Sequence, residues 1–352
     1  MTSASLPESG AGPAPEPQPV LTPLTAAAIF LVVTVDPGGE ETVRDLLADL
    51  SGLRRAFGFG APDASLSCVA GIGSDAWDRL FDYPRPVGLH PFVELAGTRH
   101  RAPATPGDLL FHLRGSRLDV CFALAAEIMR RLRGAVTLQD EVQGFKYLDV
   151  RDLLGFVDGT ENPEGADARA AVLIGAEDAP HAGGSYVIVQ KYLHDLEAWN
   201  RLPVEAQEKI IGRTKATNIE LDAEGSHVAL NTVTDPDGTE RDILRDNMPF
   251  GSPGRGEFGT YFIGYARTPD VTERMLRNMF LGAPPTGYDR ILDFSTAVTG
   301  TLFHVPAAGL LDDLPGAPAA GGTAARTPAP APLPRPADGS LGIGNLNRST
   351  IA

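Results

Sequence analysis

The chain of 352 residues is 43% hydrophobic and 21% charged, which is typical of a soluble globular protein with a core large enough for two lobes. Its formal net charge of −15 argues against nucleic acid as a partner, because affinity for the phosphate backbone requires clustered Lys and Arg side chains. The most apolar run, residues 26–35, is about half as long as a membrane span, so we also expect no membrane partner.

The N-terminal segment 1–23 is rich in Pro, Ala, Ser and Glu and has few apolar residues to bury, so we expect a flexible arm. It lacks the basic stretch that begins a signal peptide. The two cysteines, Cys68 and Cys121, lie far apart in apolar runs, as buried free thiols do. These features predict a reducing, cytoplasmic location.

Two segments then repeat one order of elements. In the first, 24–150, apolar periodicity predicts strands at 26–35, 65–73, 108–115 and 135–145 and helices at 39–56 and 117–134. In the second, 151–314, it predicts strands at 185–195, 258–266 and 299–306 and helices at 204–215 and 269–282. Each order is that of a split βαβ unit. The sequence therefore predicts an α+β fold of two ferredoxin-like lobes with antiparallel sheets, of the dimeric α+β barrel type.

The C-terminal end differs in composition from both segments. Residues 315–337 are dominated by Pro and Ala without apolar periodicity, which predicts an extended linker. The final segment, 338–352, contains Leu341, Ile343 and Leu346 with nothing nearby in the sequence for them to pack on. We interpret this segment as a peptide that binds in a groove of a partner.

Two common cofactor motifs are weak or missing. The stretch "GIGSDA" at 71–76 fits the dinucleotide pattern, but prolines interrupt the region that must form the next strand. The seven histidines show no H-x-x-x-H or other paired spacing, which disfavours zinc. A single histidine still suffices for haem, because the macrocycle fills the other positions around the iron.

The candidate functional residues lie in the second segment. The stretch "LLGFVDGTENPEG" at 153–165 places Asp158 in a glycine-rich turn between the lobes, where pockets tend to form. His227 in "EGSHVALN" is, by itself, more typical of a strand-end histidine hydrogen-bonded in the core. Further candidates, each equally typical of a surface ion pair or a helix cap when taken alone, are Arg245, Asn247, Asp289 and Asp293.

The order of these motifs is more specific than any one of them. The segments "GFVDGTENP", "SHVALN", "LRDNMPFGS", "GTYFIGYARTP" and "DRILDFSTAVTGTLFHVP" together resemble the bacterial dye-decolourising haem peroxidases, most closely their B-type group, over about 20–310. The first segment contains the G-x-x-D-G motif as Gly155, Asp158 and Gly159. The resemblance implies one haem b per chain in the C-terminal lobe, hydrogen peroxide as oxidant, aromatic, phenolic or dye-like electron donors, and a homo-oligomer.

The same resemblance implies a role for each candidate. His227 is the proximal iron ligand, Asp158 is the distal acid–base residue, and Arg245 and Asn247 are its distal partners, with Arg245 also contacting the haem. An ionised Asp158 accepts a proton from peroxide, and Arg245 offsets negative charge on the departing oxygen. Because aspartic acids ordinarily have a pKa of about 3.9, against about 6.5 for histidine, we expect peroxidation to be fastest at acidic pH.

Three further assignments remain open from the sequence. The carboxylate that hydrogen-bonds the proximal histidine is either Asp289, favoured by its position in "YDRILDFS", or Asp293. Glu161 and Glu240 offer the hard oxygen ligands of a Mn(II) site, with solvated surface acids as the alternative. Aromatic residues that could conduct electrons, or simply form the core, are Tyr147, Trp199, Tyr261 and Tyr288.

The tail has its own resemblance. The stretch "DGSLGIGNLNRS" is similar to the C-terminal cargo-loading peptides that dock such peroxidases inside encapsulin nanocompartments. This implies that 338–352 binds an encapsulin shell protein and that the enzyme lies inside the shell in the cytoplasm. The alternative function is a haem-handling protein of the same fold, either porphyrin-binding or deferrochelatase-like.

Overall fold

The computed structural model describes residues 15–159, 161–282 and 287–319. The first half forms β1 (Ala27–Val35), α1 (Glu40–Phe59), β2 (Ser67–Gly73), α2 (Ser74–Leu80), β3 (Leu95–Ala96), β4 (Arg101–Ala102), β5 (Leu109–Gly115), α3 (Leu118–Arg131) and β6 (Val136–Phe145). The second half forms α4 (Gly165–Val172), β7 (Ser185–His194), α5 (Leu196–Asn200), α6 (Val204–Ile211), α7 (His227–Asn231), β8 (Val233–Thr234), β9 (Glu240–Arg241), β10 (Leu244–Arg245), β11 (Met248–Ser252), β12 (Glu257–Ala266), α8 (Pro269–Leu281), β13 (Ser295–Ala297), β14 (Thr301–Val305) and α9 (Ala308–Asp312).

Strand β1 separates two hydrophobic cores, because alternate residues of a strand point to opposite faces. Its residues Ile29, Leu31 and Val33 pack in a core with the apolar faces of α1 and α3. The residues between them, including Phe30, pack in a second core with Val187 of β7. All nine residues of β1 are therefore buried, which explains the continuous apolar run.

The two halves share one sheet. Its strand order is β10-β12-β7-β14-β2-β5-β1-β6, with β11 added to β12 and β13 added to β7, and every pairing is antiparallel. The halves join where β14 pairs with β2, at Phe303 opposite Gly73. The predicted antiparallel α+β fold is confirmed. Among the described residues the pairings do not close this sheet into a barrel.

One predicted helix is too long. Helix α6 ends at Ile211, four residues before its expected end at 215, because Gly212 adopts a left-handed φ of +94° and its N–H caps the helix at the Glu208 carbonyl. The short elements that carry the candidate residues, α7 and β10, have too few residues for periodicity to reveal them.

The expectation of a flexible arm over 1–23 is wrong for the part that the structure describes. Gln18 is buried, donates from Nε2 to the Ala70 and Pro306 carbonyls at 2.9 Å each, and accepts from the Ala70 N–H. Val20 is buried in the second core. Composition predicts a loose segment, because it does not show that one amide side chain and one apolar side chain are enough to dock the segment on the core.

The predicted C-terminal linker is also attached to the folded part of the chain at its first residue. Arg44 donates to the Pro315 carbonyl at 2.7 Å, so the predicted linker begins attached to α1. The tail peptide 338–352 lies outside the described residues. Cys68 and Cys121 are buried and free, as expected. None of the described helices combines the length and apolarity needed to cross a bilayer.

Candidate active site

A cavity opens between the glycine-rich loop 153–159, the short helix α7 and one face of α8. Its walls are mainly apolar. The polar side chains that line it include Asp152, Asp158, Glu161, His194, Arg213, His227, Arg245 and Asn247.

His227 starts α7, which corrects the interpretation of a strand-end histidine. Ser226 caps the helix by accepting the Ala229 N–H at 3.3 Å, and Asn231 donates to the His227 carbonyl at 2.7 Å. The imidazole donates from Nδ1 to Asp289 Oδ2 at 2.7 Å. No described residue hydrogen-bonds its Nε2, and the side chain lines the cavity.

The structure brings Asp289, and not Asp293, to His227. Asp289 is fully buried; its Oδ1 accepts the Ile291 N–H at 3.0 Å and its own N–H donates to the Met279 carbonyl at 2.9 Å. Asp293 instead accepts from Arg290 and Tyr288 and contacts His100. Burial by itself lowers the pKa of His227, but the Asp289 carboxylate outweighs burial and raises it above the ordinary value. This arrangement keeps the proton on Nδ1 and leaves Nε2 free as a ligand.

Asp158 lines the same cavity, and both of its carboxylate oxygens accept hydrogen bonds. Oδ1 accepts the Gly159 N–H at 2.8 Å and Oδ2 accepts from Asn247 Nδ2 at 3.3 Å. The Asp158 N–H donates to the Val150 carbonyl at 2.9 Å, and Val150 itself has a left-handed φ of +59°, which is costly for a β-branched residue. Backbone strain therefore accompanies the placement of this carboxylate.

The glycines around Asp158 are required by the backbone. Gly155 has φ +95°, and a Cβ there would lie 2.5 Å from Lys215 Cε. Gly159 has φ +75°. Both conformations are rare for residues with a side chain. The turn therefore depends on glycine at the positions where the G-x-x-D-G motif has it.

Arg245 is positioned by a residue that sequence reasoning missed. Asn162 accepts the Arg245 N–H at 2.9 Å and donates to the Arg245 carbonyl at 2.7 Å. The Arg245 guanidinium lies 3.9 Å from Glu161, which also pairs with Arg213 at 2.6 Å. The signal was available: Asn162 belongs to the same run, "DGTENP", as Asp158.

The proposed Mn(II) pair is not brought into a metal-binding cluster. Glu161 faces two arginines, and Glu240 is exposed on β9. Across the described ranges no group of three or more His, Cys, Asp or Glu side chains has a geometry that could hold a metal ion. Of the aromatic candidates, Trp199 and Tyr261 are buried in the core.

Asp152 is a second carboxyl group in the cavity that the sequence did not single out. Its Oδ1 accepts the Phe156 N–H at 2.9 Å, and within the described part of the chain no cation pairs with it. Burial, with the nearby Asp158 adding to it, raises the pKa of Asp152 to about 7. His194, held between Ser295 and Thr260, has its pKa lowered to about 4 by burial.

The cavity contains an imidazole that is hydrogen-bonded to a buried carboxylate. An acid, an arginine and an amide also line it. This combination defines the class of haem peroxidases. The Dyp-type peroxidase N-terminal model matches residues 17–146 and the Dyp-type peroxidase C-terminal model matches 149–309. The chain therefore belongs to the Dyp-type peroxidase family, which confirms the resemblance found in the motifs.

One of two relatives matches nearly the whole chain, and the other matches about half of it. A dye-decolorizing peroxidase of Mycolicibacterium paratuberculosis is 61% identical over 342 residues, covering 96% of this chain and 94% of that protein. A deferrochelatase of Escherichia coli strain K12 is 26% identical over 199 residues, covering 51% of this chain and 47% of that protein.

Solved structures agree as well. The cryo-EM structure of the encapsulated DyP-type peroxidase from Mycobacterium smegmatis is 61% identical with a TM-score of 0.85, covering 87% of this chain and 100% of that one. A variant of DypB from Rhodococcus jostii in complex with haem is 56% identical with a TM-score of 0.83, covering 85% of this chain and 98% of that one.

Proposed function

We propose that the protein is a haem b peroxidase, with one haem per chain, that reduces hydrogen peroxide and oxidises aromatic, phenolic or dye-like donors. The observation that carries this proposal is the hydrogen bond of 2.7 Å between His227 and Asp289 in a cavity that also contains Asp158, Arg245 and Asn247. The haem-bound structure of the DypB variant supports the choice of cofactor.

The cavity fits a porphyrin. Its walls are mainly apolar, as a macrocycle requires, and His227 Nε2 has no partner in the described residues, so it is available to ligate iron. Haem, when bound, supplies the redox-active iron at which peroxide is reduced. Asp289 holds the proton on Nδ1 and thereby increases the electron density of the imidazole.

Asp158 moves the proton that peroxide reduction requires, and Arg245 and Asn247 assist it. The Asp158 carboxylate accepts a proton from one oxygen of hydrogen peroxide and returns it to the other oxygen, which leaves as water. Arg245 stabilises the negative charge that develops on the departing oxygen. Asn247 holds Asp158 Oδ2 in place at 3.3 Å, so the carboxylate needs little reorganisation during the transfer.

The tail supports packaging inside an encapsulin shell in the cytoplasm. Residues 338–352 resemble a cargo-loading peptide, the linker 315–337 gives the reach to bind a shell wall, and the M. smegmatis neighbour is an encapsulated peroxidase. Self-association into a homo-oligomer, also a feature of the resemblance, belongs to the same proposal.

A porphyrin-handling role has weaker support, because the deferrochelatase relative matches only about half of either chain. An absorbance spectrum before and after one equivalent of hydrogen peroxide tests the choice. We expect a Soret band that shifts within the mixing time and returns when a phenolic donor is added. A protein that binds haem, yet shows no rapid shift and no donor oxidation, would be a haem carrier and contradict the proposal.

A further inference from the structure

One face of α8 lines the cavity, and two of the four residues on that face are methionines. Thr272, Met275, Leu276 and Met279 follow the i, i+3, i+4, i+7 spacing of a helix face, and all four are lining residues. Met275 is 4% exposed and Met279 is 7% exposed. Both side chains are therefore shielded from bulk solvent, yet both line the cavity.

Met129 provides an internal comparison. It lies on α3 in the N-terminal half, packs at the edge of the first core and is only partly buried. It is not among the residues that line the cavity. Peroxide in bulk solution oxidises methionines in order of exposure, so it should reach Met129 before Met275 or Met279.

We propose that Met275 and Met279 are sites of self-oxidation, converted to methionine sulfoxide when hydrogen peroxide is present without an electron donor. This inference rests on the proposed function, because the cavity must be where peroxide is activated. In the net step the O–O bond of peroxide breaks and an S–O bond forms. Sulfur loses two electrons, and the second peroxide oxygen leaves as water with both protons.

The position of Met279 links this modification to the cofactor. The Met279 carbonyl accepts the Asp289 N–H at 2.9 Å, and Asp289 accepts from His227 at 2.7 Å. A sulfoxide places a polar oxygen in an apolar wall, where it lacks a hydrogen-bond donor. Oxidation at this site therefore loosens the proximal side of the cavity, and haem loss follows.

Peptide mass spectrometry tests the proposal on the haem-loaded protein. Samples are exposed to increasing hydrogen peroxide, with and without a phenolic donor, and then digested. We expect the mass of one oxygen to appear on Met275 and Met279 before Met129, and the donor to suppress it. Oxidation of Met129 first, or oxidation that the donor does not suppress, would overturn the inference.

Two variants give a second readout. We expect the M275L/M279L protein to lose its Soret absorbance several-fold more slowly under peroxide without donor, because leucine has similar volume and no oxidisable sulfur. M129L should lose it as fast as the unmodified protein. Equal rates in all three proteins would overturn the inference. Donor turnover measured on the same samples is independent: its absence contradicts the proposed function and not merely the oxidation site.

Discussion

His227 and Asp289 are separated by 62 residues in the sequence, yet the Nδ1 donor and the fully buried carboxylate oxygen lie 2.7 Å apart. This bond joins the start of α7 to the residue that caps the turn at 290–293. The bond fixes the imidazole ring of His227, so that Nε2 remains available at the cavity.

Replacing Asp289 should slow the reaction with hydrogen peroxide without causing loss of haem. D289N removes the charge that favours a proton on His227 Nδ1, and a carboxylate that hydrogen-bonds a metal-ligating histidine typically contributes about 10–100-fold to activity. We therefore expect kcat/KM for hydrogen peroxide to fall by that factor while a Soret band persists. D293N is the matched control, because Asp293 pairs with Arg290 and contacts His100 instead. A larger loss in D293N than in D289N would contradict the assignment.

Asp158 and Arg245 should each affect the first reaction with peroxide. Loss of a general base typically costs roughly 10²–10⁴-fold, so D158N should slow the peroxide-induced spectral change by that amount. R245L removes charge stabilisation and should cost about 10²–10³-fold. Rapid-mixing spectroscopy measures both rates. An unchanged rate in D158N, or an optimum above neutral pH in the unmodified protein, would show that another group accepts the proton.

Asp152 should make the folded state less stable as the pH rises. An unfolded chain releases this proton near pH 3.9, whereas the folded protein holds it until about pH 7. Between these values the folded state binds more protons, so its stability falls with increasing pH and levels off above about pH 7. The Tm of D152N relative to the unmodified protein should therefore rise from pH 4 to pH 7.

The control for this effect is D149N, which removes the same charge from an exposed position three residues away. Its Tm should run parallel to that of the unmodified protein at every pH. If D152N also runs parallel, Asp152 is not held protonated in the folded protein. Thermal unfolding followed by circular dichroism over this range decides between the two outcomes.

Arg114 of β5 should stabilise the segment that presents Arg245 and Asn247, namely the end of β10 and the connection to β11. Arg114 and Asp246 form an ion pair in which both side chains are fully buried. R114M leaves the Asp246 charge buried without its arginine partner, and breaking a buried pair in this way typically costs about 3–5 kcal/mol. Urea unfolding should show this loss. R117M, which breaks an exposed pair with Asp119, should barely change the free energy of unfolding. A neutral R114M would contradict this role.

Removing residues 338–352 should separate catalysis from packaging. We expect the truncated protein to keep its peroxidase activity and to lose co-purification with an encapsulin shell. Replacing Leu341, Ile343 and Leu346 by alanine keeps the chain length and should have the same effect, because the groove binds apolar side chains. Encapsulation that survives both changes would exclude the tail as the loading signal.

The sequence by itself determined the order of the main helices and strands, because helical and strand periodicity depend on neighbours within a few residues. It also located Asp158, since the glycines of its turn are adjacent in the chain and are needed for left-handed backbone angles. The resemblance of five ordered motifs then implied roles for the candidates His227, Arg245 and Asn247.

Only the tertiary structure distinguished Asp289 from Asp293, because four residues of separation do not reveal which carboxylate faces α7 and which faces His100. It also showed that Asp152 shares the cavity and that Gln18 docks in the core. These properties depend on burial and on contacts between residues far apart in the sequence, which form only in the folded chain.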